Sequence, residues 1–510
     1  MRKSCGVLLP VASLPGPYGI GCFSKEAYEW IDFLEETGQK YWQILPLCQT
    51  GYGDSPYQSS STFAGNVYFI DPKELIRLGY LTEEEAGTYD FGGQHGYVDY
   101  DKIYKGRFAM LKAAYHNSPY AKAPKKKWTA QEYDADRKAF EEYVRDNWAW
   151  IVDYAFYSAI KDAQKGKPFA AWPKELRFRE DKAMRVAFEK YQDEIRFYEY
   201  LQYEFDREWT NLKSYANKKG IRIIGDLPIY VAYDSADTWA NPELFQLDEE
   251  GNPTGVAGCP PDSFATKGQL WGNPLYNWEE HHLTEYRWWI ARIRQNLRRY
   301  DVIRIDHFRG FESYYSVPYG DEDATAGEWK KGPGKELFKV AQMTLGNMPI
   351  IAEDLGLITP QVRELLDATG YPGMKVMQFG YGEYLNNDYL PQYYPENCIA
   401  YTGTHDNDTL VGWYRKCSRK AKQTIRRSLQ LETKEDAIKA LLDALFASKA
   451  KVVIVPMQDY LKIGEEARLN MPSTLGGLNW RWRMNQQKLT DKVKNEMLEL
   501  AKEYERVRVS

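Results

Sequence analysis

Short apolar, β-branched runs alternate along the chain with longer stretches of helical periodicity. Eight such runs can be counted: 6–10 (GVLLP), 41–47 (YWQILPL), 221–229 (IRIIGDLPI), 302–308 (VIRIDHF), 349–355 (PIIAEDL), 373–379 (GMKVMQF), 398–406 (CIAYTGTHD) and 451–459 (KVVIVPMQD). Most are too uniformly apolar for strands with one face in water, and helix-length connections separate them. That is the pattern of a parallel sheet covered on both sides, and eight units predict an α/β fold closed as a (β/α)8 TIM barrel. A bare barrel needs about 250 residues, so a chain of 510 must carry insertions. The largest is expected after the second strand, at 48–220, beginning rich in Gly, Ser and Tyr and continuing over 128–217 as charged amphipathic helices. Within it, RFYEYLQYEFDREW (196–209) spaces its rings as a packed helix does. A second insertion, 230–285 after the third strand, holds FQLDEEGNPTGVAG, which predicts a hairpin turning at 250–253, followed by an active-site loop. Residues 1–510 are thus expected to form one catalytic barrel. Its last segment, TDKVKNEMLELAKEYERVRV, reads as a helix with no C-terminal β domain.

Charge appears where these runs end. Alternate side chains on a strand share a face, so Arg304 and Asp306 point together while Ile303, Ile305 and His307 point the other way. In a barrel, the inward face at the C-terminal strand ends is the mouth of a cleft. Asp226 ends the third run, Asp306 follows the fourth, Glu353 the fifth and Asp406 the seventh. A single carboxylate there, Asp226 or Asp354, is as readily a helix cap as a functional group. Four converging acids suit two chemistries, divalent-metal binding or acetal cleavage. Arg304 separates them: a guanidinium beside Asp306 repels a dication but lowers the pKa of a nucleophilic carboxylate. Glu353, behind the apolar PIIA, is placed to have its pKa raised and to act as proton donor. On neighbouring strands the two carboxyls can reach the separation that a retaining mechanism uses. A different barrel chemistry, Schiff-base catalysis by Lys375 on the sixth strand, is the main alternative from another class.

Composition narrows the partners. The formal charge of −5, from 67 basic and 72 acidic side chains, offers no broad positive field, which argues against nucleic acid. The one basic run, KAPKKKW at 122–128, reads as a solvated loop. Cysteines at 5, 22, 48, 259, 398 and 417 have no metal-ligand or CxxC spacing, as expected of unpaired thiols in a reducing, cytoplasmic compartment. MRKSCGVLLPVASLPG only loosely resembles a secretory signal, because prolines at 10 and 15 interrupt its apolar run, and GVLLP reads as a strand. No stretch approaches the ~20 apolar residues of a membrane span. Aromatics make up 15% of the chain; most are core, but rings with polar edges also suit the apolar faces of sugars.

RIDHFRG, IIAEDLG and YTGTHDNDT, in that order on strands four, five and seven, resemble the α-amylase superfamily. GYGDSPYQ (51–58), GDLPIYV (225–231), PPDSFATKGQLWGNPLYNW (260–278) and RLNMPSTLGGLNWRWR (468–483) narrow the resemblance to the 4-α-glucanotransferases of glycoside hydrolase family 77, the amylomaltases or disproportionating enzymes, over 4–483. The resemblance implies Asp306 as nucleophile, Glu353 as general acid/base and Asp406 as the third carboxylate, gripping hydroxyls of the donor sugar. It also implies that Arg304, Asp226 and His405 surround the subsite where bonds are cut and that Tyr57 and Ser55 lie on the loop beside it. Asn470 becomes a late-loop contact, and Phe264, Gln269 and Trp271 belong to a loop covering the glucan. The reaction implied is transfer of α-1,4-glucan segments between maltooligosaccharides, with glucose as an acceptor and without metal or organic cofactor; hydrolysis on the same residues is the alternative. Ser263, Leu469 and the PSTLGGLNW turn depart from the common family pattern, none at a carboxylate.

Overall fold

The computed structural model describes residues 3–93, 96–261, 265–432 and 436–507. Twelve strands occur among them: β1 (Ser4–Leu8), β2 (Tyr41–Gln43), β3 (Arg222–Leu227), β4 (Gly255–Cys259), β5 (Gln269–Pro274), β6 (Val302–Ile305), β7 (Ser313–Pro318), β8 (Glu328–Lys331), β9 (Ile350–Ala352), β10 (Gly373–Val376), β11 (Cys398–Tyr401) and β12 (Val452–Pro456). Eight form an all-parallel sheet in the order β10-β11-β12-β1-β2-β3-β6-β9, and each of the eight lies within or overlaps one of the predicted runs. Its two ends meet: the Ala352 amide donates to the Pro372 carbonyl at 2.9 Å, and the Met374 amide donates to Asp354 Oδ1 at 2.6 Å. The expected (β/α)8 barrel is the fold. Asp354 is therefore a seam residue between the fifth and sixth strands, not a helix cap. A side chain on Gly373 would place Cβ 2.5 Å from Asp354 Oδ2 and push that carboxylate off the seam.

The strands are apolar because helices cover one side and barrel-filling side chains the other. Ile223, Ile303, Ile305, Val453 and Ile454 are all fully buried. The interior also has polar fillers, since Tyr401 Oη donates to Gln43 Oε1 at 2.9 Å. Between β2 and β3 lie the helices Ala130–Asp146, Trp148–Ala163 and Gln192–Lys218. The last of these spans the aromatic stretch 196–209 and buries Phe197, Leu201, Phe205, Trp209 and Leu212 along one stripe, as its periodicity predicts. It makes two ties to the rest of the chain. Trp209 Nε1 donates to the Arg299 carbonyl at 3.0 Å, tying the helix to the wall. The Gln202 amide clasps Gly65 in both directions, accepting from its N–H at 2.7 Å and donating to its carbonyl at 3.0 Å. That clasp holds the connection that carries Tyr57.

The remaining strands form an antiparallel sheet, β5-β4-β7-β8, beside the mouth. The predicted hairpin leads into it: the Asp248 amide donates to Asn252 O at 2.8 Å, and Gly251 supplies a left-handed φ of 76°. The turn is centred about two residues before the predicted 250–253, because the Asp248 side chain also accepts the Asn252 amide and starts the reversal early. β7 and β8 were not anticipated. EWKK is too polar to register as a strand, and it lies at a sheet edge where only one side is paired.

Several carboxyls besides Asp226 are buried. Burial pushes Glu204 up to about 7, Asp237 up to about 6 and Asp459 up to about 6. Asp459 is fully buried, accepting from Thr402 Oγ1 at 2.6 Å and from the Leu410 amide at 2.7 Å. An acid whose folded pKa exceeds its unfolded value binds more protons when native, so its contribution grows as pH falls through the folded pKa toward the unfolded one. Lowering the pH from 7 to 5 should therefore stabilise the wild type relative to Asp459→Asn by about 1 kcal/mol. Denaturant unfolding of both proteins at the two pH values checks the sign; a difference that does not change with pH rejects it.

Candidate active site

The mouth is organised by register. Asp226 on β3 lies opposite Arg304 on β6, and Ile305 lies opposite Ala352 on β9, so Asp306 and Glu353 leave neighbouring strands side by side. Arg304 is 3% exposed. Its Nη1 donates to Asp226 Oδ1 at 2.8 Å and Oδ2 at 2.7 Å, while its Nη2 stands 3.0 Å from Asp306 Oδ1. Nε rests on Met374 Sδ at 3.4 Å. The shared face predicted for Arg304 and Asp306 is present, and the guanidinium spans two carboxylates.

Tyr57 continues the network. Burial and the nearby Asp226 charge raise its pKa well above that of a free phenol, so it remains a donor, giving its proton to Asp226 Oδ2 at 2.7 Å. Its oxygen then accepts from His405 Nε2 at 3.0 Å, which assigns the ring proton to that nitrogen. Burial lowers the His405 pKa and keeps the ring neutral. Tyr57 and His405 stack with centroids 5.3 Å apart, and Trp480 leans on both. Ser55 serves the loop, its Oγ accepting the Tyr57 amide at 3.2 Å. Asp54 anchors the same loop by accepting from Tyr104 Oη at 2.8 Å and pairing with Arg481 at 3.0 Å.

Asp406 is not on a strand. β11 stops at Tyr401, and a turn in which Asn407 Oδ1 accepts the Thr404 amide at 2.8 Å carries the chain onward. Asp406 is then held from the late loop: Asn470 Nδ2 donates to its Oδ1 at 2.7 Å and Arg468 Nη2 to its carbonyl at 2.7 Å. Its side chain is 45% exposed to the cleft. Trp271 of β5 meets His307 edge-on at 4.8 Å, and its Nε1 donates to Gln269 Oε1 at 3.1 Å. Phe264 lies outside the described residues. The structure thus brings Asp226, Arg304, Asp306, Glu353, Tyr57, His405, Asp406 and Asn470 to one mouth, with Trp271 and Gln269 on its rim. Trp480 and Arg468, both within the quoted late motif, were not singled out from sequence, although their place in RLNMPSTLGGLNWRWR was the available signal.

Two expectations change. Lys375 neighbours Met374, which faces the Arg304 side chain inside the barrel, so Lys375 points outward and lies 5.1 Å over the Tyr389 ring; it cannot form a Schiff base in the cleft. The clean division of protonation states is also revised. Burial and the facing Asp226 and Glu353 push Asp306 well above the usual carboxylate range, against the pull of Arg304. Burial raises Glu353 as well, but no apolar wall acts alone on it: its Oε2 accepts the His307 amide at 2.7 Å and its Oε1 the Leu355 amide at 2.9 Å, both favouring the charged form. The sequence ranked these groups from their flanking residues, whereas Arg304 is divided between two acids and the amides arrive from two strands. His307 adopts a left-handed φ of 50° to aim its N–H at Glu353. A separate groove of about 480 Å³, lined by Asp206, Lys213, Asn217, Arg298 and Arg299, opens at the opposite end of the strands, away from these carboxyls.

A (β/α)8 barrel whose mouth unites buried carboxylates with a shared arginine and aromatic walls is built for acetal chemistry on carbohydrate. The family model described as 4-alpha-glucanotransferase, glycoside hydrolase family 77, matches residues 9–490, and the chain belongs to that family. It is 44% identical to the 4-alpha-glucanotransferase of Streptococcus pneumoniae over 99% of this chain and 98% of that one, and 44% identical to the Thermus thermophilus enzyme over 95% of each. The amylomaltase of Streptococcus agalactiae, solved with acarbose, superposes with a TM-score of 0.94 at 40% identity, covering 99% of this chain and 100% of that one. The amylomaltase of Corynebacterium glutamicum, at 16% identity and a TM-score of 0.77 over 99% of this chain and 75% of that one, shares the fold. The protein is a glycosyltransferase of the 4-α-glucanotransferase type, acting on α-1,4-glucans.

Tyr57→Phe removes the hydroxyl that joins Asp226 to His405 while leaving the ring stack. It should lower kcat/KM with maltotriose about tenfold, the worth of one hydrogen bond to a charged group, with little change in unfolding midpoint. Steady-state kinetics and thermal melts read the two effects separately.

Proposed function

We propose that Asp306 is the nucleophile and Glu353 the general acid/base of a two-step transfer with retained configuration. The observation that carries this reading is the Arg304 guanidinium, 3.0 Å from Asp306 and bonded to Asp226, with Glu353 on the adjoining strand. In the first step an Asp306 oxygen bonds to the anomeric carbon, the glycosidic C–O bond breaks, and the departing oxygen takes the Glu353 proton to become a free 4-hydroxyl. In the second, the 4-hydroxyl of an incoming glucan, or of glucose, attacks the same carbon, gives its proton to Glu353, and releases Asp306. Two neighbouring half-buried carboxyls favour one shared proton, titrating as a pair. The direct ion pair to Arg304 biases the charge toward Asp306. Glu353 can carry the proton on one oxygen while the other still accepts an amide N–H.

In this reading Asp406, gripped by Asn470, faces donor hydroxyls, and Tyr57, His405 and Asp226 wall the bond-breaking subsite. Trp271, Gln269 and Phe264 contribute to a cover that delays water until an acceptor arrives. Residues 48–220 and 230–285 act as insertions of one catalytic barrel, 1–510, and supply these walls. We place the enzyme in the cytoplasm. Support comes from Cys5, Cys22, Cys48, Cys398 and Cys417, which are free thiols; among the described residues no helix is long and apolar enough to cross a membrane.

Incubation with maltotriose should give glucose together with chains longer than the substrate; glucose and maltose alone would point to hydrolysis. Asp306→Asn should abolish turnover while maltooligosaccharide binding, followed calorimetrically, persists, and retained activity would remove Asp306 from its role. Because burial raises both carboxyls, both limbs of the pH profile of kcat/KM should lie on the alkaline side of those for exposed carboxyls. Activity should fall at high pH as Glu353 loses its proton and at low pH as Asp306 gains one.

A further inference from the structure

Arg309 is the charged residue of RIDHFRG that the reaction leaves without a task. It is 4% exposed and takes part in no ion pair among the described residues, so a buried cation is being kept for what it holds. It holds three separate pieces of chain. Nη1 donates to the Leu357 carbonyl, Nη2 donates to Ser313 Oγ at 3.0 Å, and Cζ lies 3.8 Å over the Trp329 ring. Ser313 opens β7, and Trp329 is its neighbour on β8, paired with Tyr315. Leu357 closes the short turn that begins at Glu353, and Gly356 within that turn has a left-handed φ of 87°. The middle of the same turn supplies the Leu355 N–H on Glu353 Oε1. The other amide on Glu353, from His307, sits two residues before Arg309.

We propose that Arg309 is a positioning residue for the acid/base: it locks the 353–357 turn to the β7–β8 edge of the inserted sheet, and so fixes the amide that orients Glu353. The inference rests on Glu353 being the proton donor. The planar fork reaches a carbonyl and a hydroxyl while its face covers an indole, a combination that lysine cannot reproduce. Without the lock, the turn is free to swing about Gly356, the Leu355 donor leaves Oε1, and the carboxyl loses both its aim and a contact that favours its ionised form.

A role through Glu353 differs from simple structural support in its dependence on the leaving group. Wild type, Arg309→Met, Arg309→Lys and Trp329→Leu would be compared by kcat/KM for maltotriose, whose leaving sugar needs a proton, and for α-glucosyl fluoride with maltose as acceptor, whose leaving group does not. Arg309→Met should lose roughly tenfold or more on maltotriose, within the range of general acid catalysis, and less than about threefold on the fluoride. Its alkaline pH limb should move upward, because Glu353 has lost a donor to its charged form. Arg309→Lys should recover part of the maltotriose activity. Equal losses on the two donors, or an unmoved alkaline limb, would overturn the proposal. If Arg309→Met does not fold, Trp329→Leu decides, since it removes the ring and leaves the buried charge: the same donor dependence supports the lock, and equal or absent loss refutes it. The product pattern of the wild type tests the transferase reading separately, because proton donation by Glu353 is common to transfer and hydrolysis.

Discussion

The guanidinium of Arg304, buried between Asp226 and Asp306, is the interaction on which the mouth of the barrel depends. Taking a cation out of water costs several kcal/mol and is tolerated only when its donors are met. Here the register of β3 against β6 meets them, placing Asp226 directly opposite. The same charge makes it possible to bring Asp226, Asp306 and Glu353 into one small space, because without it three carboxylates would repel one another or take up protons. Tyr57 and His405 are recruited through Asp226, so the wall of the cleft is an extension of this one ion pair.

The two carboxyls proposed to react, Asp306 and Glu353, differ less in their surroundings than in their partners. Both are raised by burial. Asp306 has a cation beside it, whereas Glu353 accepts two backbone amides, one from the end of neighbouring β6 and one from the turn after its own strand. A cation is a fixed charge, but an amide can be accepted by either protonation state. In the proposed mechanism Glu353 is thus free to cycle between acid and base, while Arg304 draws Asp306 toward the charged form against its burial. That asymmetry is what a double displacement needs from a pair of acids.

Around this centre the insertions build walls that the barrel alone lacks. The loop bearing Tyr57 is clasped by Gln202 through Gly65 and pinned at Asp54 by Tyr104 and Arg481. The late loop brings Asn470 and Arg468 to Asp406 and Trp480 to Tyr57. The antiparallel sheet presents Trp271, which meets His307 and whose carbonyl accepts from Gln58 of the Tyr57 loop. Aromatic rings around the mouth suit the apolar faces of glucose rings.

The sequence by itself determined the eight barrel strands, the long aromatic helix, and the placing of Asp226, Asp306 and Glu353 at strand ends. Each of these is a local matter of alternation, periodicity or an apolar run that stops at a charge. It also carried the family motifs. Only the tertiary structure decided that Asp406 rides on a loop steadied by Asn470, that Lys375 faces outward, that Arg304 is shared, and that EWKK pairs as an edge strand. These outcomes depend on which residues from distant parts of the chain are brought opposite each other when the cylinder closes, and register across a closed sheet is a property of all eight strands together, with no trace in any single one of them.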